Sequence, residues 1–240
     1  RVQLMQTLPQ RVTEAADLYV YHKDNTLKIE TKEGAEIFTL KTAGLTKEQA
    51  ASGVRESVRA YAQCQFLRVY ENEGTNFDFS IRLNKVDCTQ PEKLIRNSPD
   101  SVRLGECVQF VITNAGITGA YYSLLDIQPN DLINLIIPDV SSGKTSDEYY
   151  LEPGQSYTSP AIGISAPTGR EVLKLILSRN PLQLPSIIAT RGNARRGVEK
   201  MGSFENLLVS SFEVQTRGMK MKRNSNEEVG TKTVVFTITE

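Results

Sequence analysis

Gly143-Lys144-Thr145 is the triplet with which a phosphate-binding loop ends. Such a loop also needs a glycine five positions earlier, because its backbone amides must wrap the phosphates and only glycine allows that curvature. Pro138 stands at that position, with a fixed φ and no amide to donate. Ser146-Asp147-Glu148-Tyr149-Tyr150 follows where a helix should open toward the anion, so the triplet is read as a turn. Nucleophilic catalysis needs a base beside a serine or cysteine, most often histidine. His22 is the sole histidine and shares an alternating run with Leu18 and Val20, which reads as an edge or partly exposed strand position. Cys64, Cys88 and Cys107 show neither a paired framework nor metal-ligand spacing and read as reduced thiols. Cys107 begins an apolar strand, Cys64 lies late in a helix, and Cys88 is expected to be exposed in a linker. None has a basic, thiolate-stabilising neighbourhood.

Asp126, Asp131 and Asp139 surround one strand-turn-strand and could bring carboxylates together, though they lack the alternating acids and terminal glutamate of a calcium loop. Asp147, Glu148 and Glu152 read as an acidic loop. Two basic clusters, Arg191/Arg195/Arg196/Lys200 and Arg217/Lys220/Lys222/Arg223, lack the interleaved aromatics that stacking on bases requires. They read as solubilising surface, or as contacts for an acidic protein. No residue is assigned a catalytic, cofactor-binding or metal-ligating role, and no cofactor is expected.

The elements that would position these groups fall into two textures. Asp17–Tyr21, Thr26–Glu30 and Ala35–Leu40 alternate between polar and apolar residues and are broken by turn residues, the pattern of a β-meander. Thr46-Lys47-Glu48-Gln49 is a capping-box sequence. Ala50, Val54, Val58, Tyr61 and Ala62 then recur at helical spacing, which predicts a helix over Lys47–Leu67. Phe77, Phe79, Ile81 and Leu83 alternate with polar residues and predict a strand in the same unit. Residues 87–100 read as a linker. Glu106–Thr113, Tyr121–Ile127, Leu132–Ile137 and Glu171–Leu177 are short strand runs between Gly/Pro turns, which suggests a β-sandwich. Ser203 is expected to cap a short helix carrying Phe204, Leu207, Leu208 and Phe212. Lys220–Gly230 is expected to be a mobile basic loop, and Thr233–Ile238 a closing strand.

Lys+Arg and Asp+Glu are equal at 28 each, so no global field draws the chain to nucleic acid. No apolar run reaches the ~20 residues of a bilayer-spanning helix. Tryptophan is absent and aromatics make up 7%, which disfavours stacking on sugars. Arg1 opens the chain without an initiating Met or a signal-peptide pattern, so the chain is expected to begin inside a longer polypeptide or after processing. Either a cytoplasmic or an exported location fits that start.

Several phrases occur in a distinctive order: Leu104-Gly105-Glu106, Asn114-Ala115-Gly116, Tyr121 through Pro129, the apolar run ending Ile137-Pro138, Leu151 through Tyr157, and Pro167 through Glu171. Over Val102–Pro181 they resemble a bacterial domain of unknown function that occurs beside caspase-like peptidase or protein-kinase domains. The preceding helix-plus-strand unit and the closing Gly230–Ile238 resemble the C-terminal extension of bacterial caspase-like proteins. The peptidase's own His and Cys motifs are absent, so any peptidase activity would lie before Arg1, and the resemblance brings no catalytic residues with it.

The expectation is an α+β unit followed by a mainly β region: residues 1–90, a β-sandwich over 91–185, and a C-terminal helix, loop and strand over 186–240. The sandwich either follows the first unit or is inserted in it, with the final strand returning to that unit. The expected function is non-enzymatic: a protein-interaction or regulatory module in the C-terminal region of a caspase-like protease. Its partner would be a protein or the upstream peptidase domain, and not nucleic acid or nucleotide. The alternative is a cell-envelope β-sandwich module that binds carbohydrate or another ligand. A hydrolase built on two facing carboxylates is a third, lesser expectation.

Overall fold

In the computed structural model, which describes residues 2–5, 18–32, 34–72, 76–184, 188, 204–205, 208 and 229–240, strands in three sheets dominate and one α-helix is present among these residues. The chain divides into two units, residues Arg1–Ala62 and Gln63–Glu240. In the first, Asp24 and Asn25 both take positive φ (50° and 56°), the geometry of a tight hairpin turn that matches strand twist. They join β2 (Leu18–Lys23) to β3 (Thr26–Thr31), and β4 (Glu36–Lys41) completes the meander read from the alternation. A fourth strand, β1 (Val2–Met5), lies parallel to β2; its four residues carry too little alternation to stand out in the sequence.

Helix α1 (Lys47–Val69) starts where the capping box places it. The Gln49 amide donates to Thr46 Oγ1 (3.2 Å) and the Thr46 amide to Gln49 Oε1 (2.9 Å), which satisfies two of the free donors at the helix start. Val54, Val58 and Tyr61 pack with Leu18, Val20, Ile29 and Ile37 to form the apolar core of this unit.

The second unit holds two sheets. One is ordered β12-β8-β5-β6: β12 (Ser156–Thr158), β8 (Cys107–Asn114), β5 (Phe79–Val86) and β6 (Leu94–Asn97), with β13 (Ile162–Gly163) also on β8. The other is ordered β10-β9-β14-β15-β7: β10 (Ile133–Ile137), β9 (Ala120–Ile127), β14 (Gly169–Ser178), β15 (Val229–Thr239) and β7 (Ser101–Arg103), with β11 (Tyr150–Leu151) on β9. Phe79, Ile81 and Leu83 of β5, Phe110 and Ile112 of β8, Leu173, Leu175 and Leu177 of β14, and Phe236 and Ile238 of β15 meet in one apolar cluster. The opposite face of the second sheet carries Leu125, Ile127, Val172 and Ile176. Cys64 and Leu67 from the end of α1 cover it, together with Leu182, Leu184, Phe204 and Leu208. Strand β14 is thereby covered on both faces, which explains its unbroken buried run from Glu171 to Ser178.

Three expectations are corrected here. The strand at 79–86 does not belong to a first unit ending near residue 90: it pairs along its whole length with β8, and the first unit ends at Ala62. Alternation identifies a strand but not its neighbour, and the apolar face of β5 is matched by Phe110 and Ile112. Residues 87–100 are not a plain linker. Asp87 accepts hydrogen bonds from the Thr89 amide and hydroxyl in a tight turn, and β6 then pairs back onto β5. The closing strand does not return to the first unit. It runs antiparallel to β14 over ten residue pairs and parallel to β7. Of the expected C-terminal helix, Phe204 and Leu208 are buried; Ser203, Leu207, Phe212, both basic clusters and most of the expected basic loop lie outside the described residues.

Candidate functional site

The structure separates most of the chemistry-bearing residues. His22 is exposed on β2, with Nε2 2.9 Å from Thr42 Oγ1. Gly143 takes a φ of 75° in a connection whose flanking residues form two short 3-10 turns, Val140–Ser142 and Ser146–Glu148. The Thr145 amide donates to Glu148 Oε2 (2.9 Å), and the Lys144 ammonium lies 5.7 Å from the centre of the Tyr149 ring. The triplet is thus a turn, as Pro138 implied. Asp139 closes the first of these turns. Its carboxylate accepts from the Ser141 hydroxyl and amide, which hold it below the usual carboxylate range.

Cys88 and Cys107 form a disulfide, which corrects the reading of three reduced thiols. The pairing of Val86 with Cys107 in the β5–β8 ladder brings Cys88, two residues on, within reach of its partner. Spacing alone does not show such a bridge, because it is set by strand register. Cys64 is the free cysteine and is buried. Burial, reinforced by the Asp131 carboxylate, pushes its thiol up to about 12, so it stays protonated and a poor nucleophile.

Two of the three candidate aspartates do come to one region. Asp131, at a φ of 61° in the β9–β10 turn, accepts from Cys64 Sγ (3.4 Å) and Gln65 Nε2 (3.1 Å), and its carboxylate lies 3.3 Å from the Arg68 guanidinium. Arg68 also donates to the Gln128 carbonyl. Asp126 sits near the end of β9, opposite Asn134 of β10, whose side-chain amide donates to it at 3.2 Å. The further carboxyl in reach of Asp126 is Glu171 of β14, 5% exposed, which the sequence hides inside an apolar run. Asp126 Oδ1 and Glu171 Oε2 are both buried and have no hydrogen-bond partner among the described residues. Burial first, and then Asp126, raise the Glu171 carboxyl far above the usual range. Asp126 and Glu171 stand diagonally on one face of adjacent strands, with Glu171 closed off from solvent, whereas the two carboxyls of a glycosidase flank a bound sugar. Among the described residues, no group of three or more His, Cys, Asp or Glu side chains is arranged to hold a metal ion.

The same run hides a second charged group. Lys174 is fully buried and donates to the Tyr70 carbonyl (2.8 Å) and to Glu71 Oε1 (2.9 Å). Glu71 accepts in addition from Thr231 and Thr233 of β15, and the Asn72 amide donates to Thr231 Oγ1. Glu71 and Thr233 border an open groove of about 590 Å³ with Phe79, Ser80, Ile81 and Lys232. Glu71 is engaged by Thr233 and by Lys174, so the lysine reads as a clamp that ties the segment after α1 to β14 and β15.

One surface with unmet bonding capacity is β6, among several sheet edges in the described residues. It is the outermost strand of its sheet, all four of its residues are exposed, and Leu94 and Ile95 are 49% and 53% exposed. An edge strand presents a row of unpaired amides and carbonyls on its outer side. The disulfide anchors the loop leading into it, and Lys93 and Arg96 flank its two apolar residues. Across the described residues no helix is long and apolar enough to cross a membrane.

No family model matches this chain, and no curated protein matches it.

Proposed function

We propose that this chain is a non-catalytic protein-interaction module, comprising a β-sandwich and a small α+β unit, which receives an extended segment of a partner protein along β6. The observation that carries the reading is the edge itself: four exposed residues with two adjacent large apolar side chains, on a strand paired on one side only among the described residues. Main-chain hydrogen bonds would supply affinity, and Leu94 and Ile95 would supply apolar contact, as in strand addition generally. The strand is short and its two apolar residues stand between Lys93 and Arg96, features that discourage indiscriminate edge pairing and so favour a selected partner. The sandwich reading is supported by the single apolar cluster to which both sheets contribute. The resemblance over Val102–Pro181 suggests the C-terminal region of a bacterial caspase-like protease, with the upstream peptidase as the first partner to try.

The test is hydrogen–deuterium exchange on the chain with and without that peptidase region. Slowed exchange confined to Leu94–Asn97 and β5 is the expected result, with Leu94→Lys and Ile95→Lys each weakening binding at least tenfold while circular dichroism stays unchanged. Binding untouched by both substitutions would place the contact elsewhere. A second reading, a cell-envelope ligand-binding module, is favoured by the Cys88–Cys107 disulfide, since such bridges persist in oxidising compartments. A glycan screen with specific, competable binding would advance it.

A further inference from the structure

We infer that Asp126 and Glu171 form a buried proton-binding site, in which one proton carried by Glu171 and accepted by Asp126 ties β14 to β9. The ladder sets the geometry. Leu173 of β14 lies opposite Asp126 of β9, so Glu171, two residues earlier, occupies the diagonal position on the same face. Each carboxyl presents one buried oxygen with no hydrogen-bond partner, which would be costly for two charged groups and is resolved by a single shared proton. Glu171 is the more deeply buried of the two and carries the proton, while Asn134 donates to the other oxygen of Asp126.

Among the described residues, the charges that act on Glu171 are those of Asp126 and Arg68. From β15, Phe236 lies directly opposite Glu171 and brings no charge; β10 contributes the neutral Asn134. The charged neighbour from α1 is Arg68, whose field favours ionisation of Glu171. Its guanidinium is, however, engaged by Asp131 and the Gln128 carbonyl. Burial and the Asp126 charge outweigh it, and the Glu171 carboxyl is pushed up to about 9. An acid raised on folding binds its proton more tightly in the folded state. Its contribution to stability is therefore full below the ordinary glutamate range and is lost as pH rises through the folded value. The unit is thus acid-favoured through the physiological range, with the site at the junction of three strands.

The experiment is unfolding of the full chain from about pH 5 to about pH 9, for the natural protein and for Glu171→Gln, which keeps a donor for Asp126. The expected result is a folding equilibrium constant that falls with rising pH in the natural protein, by up to about tenfold per unit. In Glu171→Gln that share of the slope should vanish, so that the variant becomes the more stable of the two at the alkaline end. Parallel profiles would overturn the inference. The natural protein supplies a second reading that does not depend on the variant folding: an infrared band of a protonated carboxylic acid at neutral pH that disappears on alkalinisation. Absence of that band at neutral pH would overturn it too. So would a rise in the midpoint on adding calcium or magnesium chloride at alkaline pH that Glu171→Gln abolishes, because the pair would then be a metal site.

Discussion

Removing Glu71 should destabilise the second unit more than removing the lysine it neutralises. The Lys174 side chain is fully buried, while that of Glu71 is 44% exposed, and the two are 2.9 Å apart. In Glu71→Ala the ammonium keeps the Tyr70 carbonyl and little else, and an uncompensated buried charge costs about 3–5 kcal/mol. Water reaches the Glu71 side of the pair, so a loss of about 2–3 kcal/mol is the appropriate figure. Lys174→Met removes the charge itself and fills similar space. It leaves Glu71 with solvent and the Thr231 and Thr233 hydroxyls, at a cost of about 1 kcal/mol for the Tyr70 carbonyl. In the double variant most of the Glu71→Ala penalty should disappear, a coupling of about 2 kcal/mol. Native-state hydrogen exchange of the β14 amides, followed through a denaturant series, reads this unit without averaging over the other. A Lys174→Met loss equal to or larger than that of Glu71→Ala would refute the reasoning, since the stranded charge is the only source of the asymmetry. The pair also has a pH signature. Burial works to raise Glu71, but Lys174 and the threonine hydroxyls outweigh it and hold the carboxyl below its ordinary value. Its stabilising share is therefore present above the unfolded carboxylate range and is lost as pH falls through the folded value, opposite in sense to that of Glu171.

Two further outcomes concern the cysteines. Reducing Cys88–Cys107, or replacing both by serine, should cost about 3 kcal/mol in chemical denaturation, the scale for closing a loop of this size; an unchanged midpoint would show that the bridge contributes nothing. Cys64 should resist iodoacetamide in the folded, oxidised protein and react as a single thiol once unfolded, counted by intact mass. Rapid labelling of the native state would contradict its burial.

Periodicity and local chemistry are legible in the sequence. The three-strand meander, the α1 start at the Thr46–Gln49 box and the turn at Gly143 are all set within a few residues, by alternation, by one side chain meeting one amide, and by a proline where a glycine was required. What stays hidden depends on which strand lies beside which. The disulfide follows from β5 lying against β8, and the closing strand's place follows from its ten-pair match to β14. The charged groups in β14 are the instructive case. Glu171 and Lys174 stand three apart in a run otherwise composed of Val, Leu and Ile, and odd spacing puts them on opposite faces of the strand. On an alternating, half-exposed strand both would be unremarkable. On a strand covered on both sides, neither can reach bulk water, so each must meet a partner or a proton inside. Lys174 meets Glu71 on one face, and Glu171 stands diagonal to Asp126 on the other. A charge inside a strand-length apolar run is therefore a signal that an amino-acid sequence carries by itself. It marks a partner of matching chemistry on a neighbouring element, and here it marks the two places where this unit's stability should depend on pH in opposite directions.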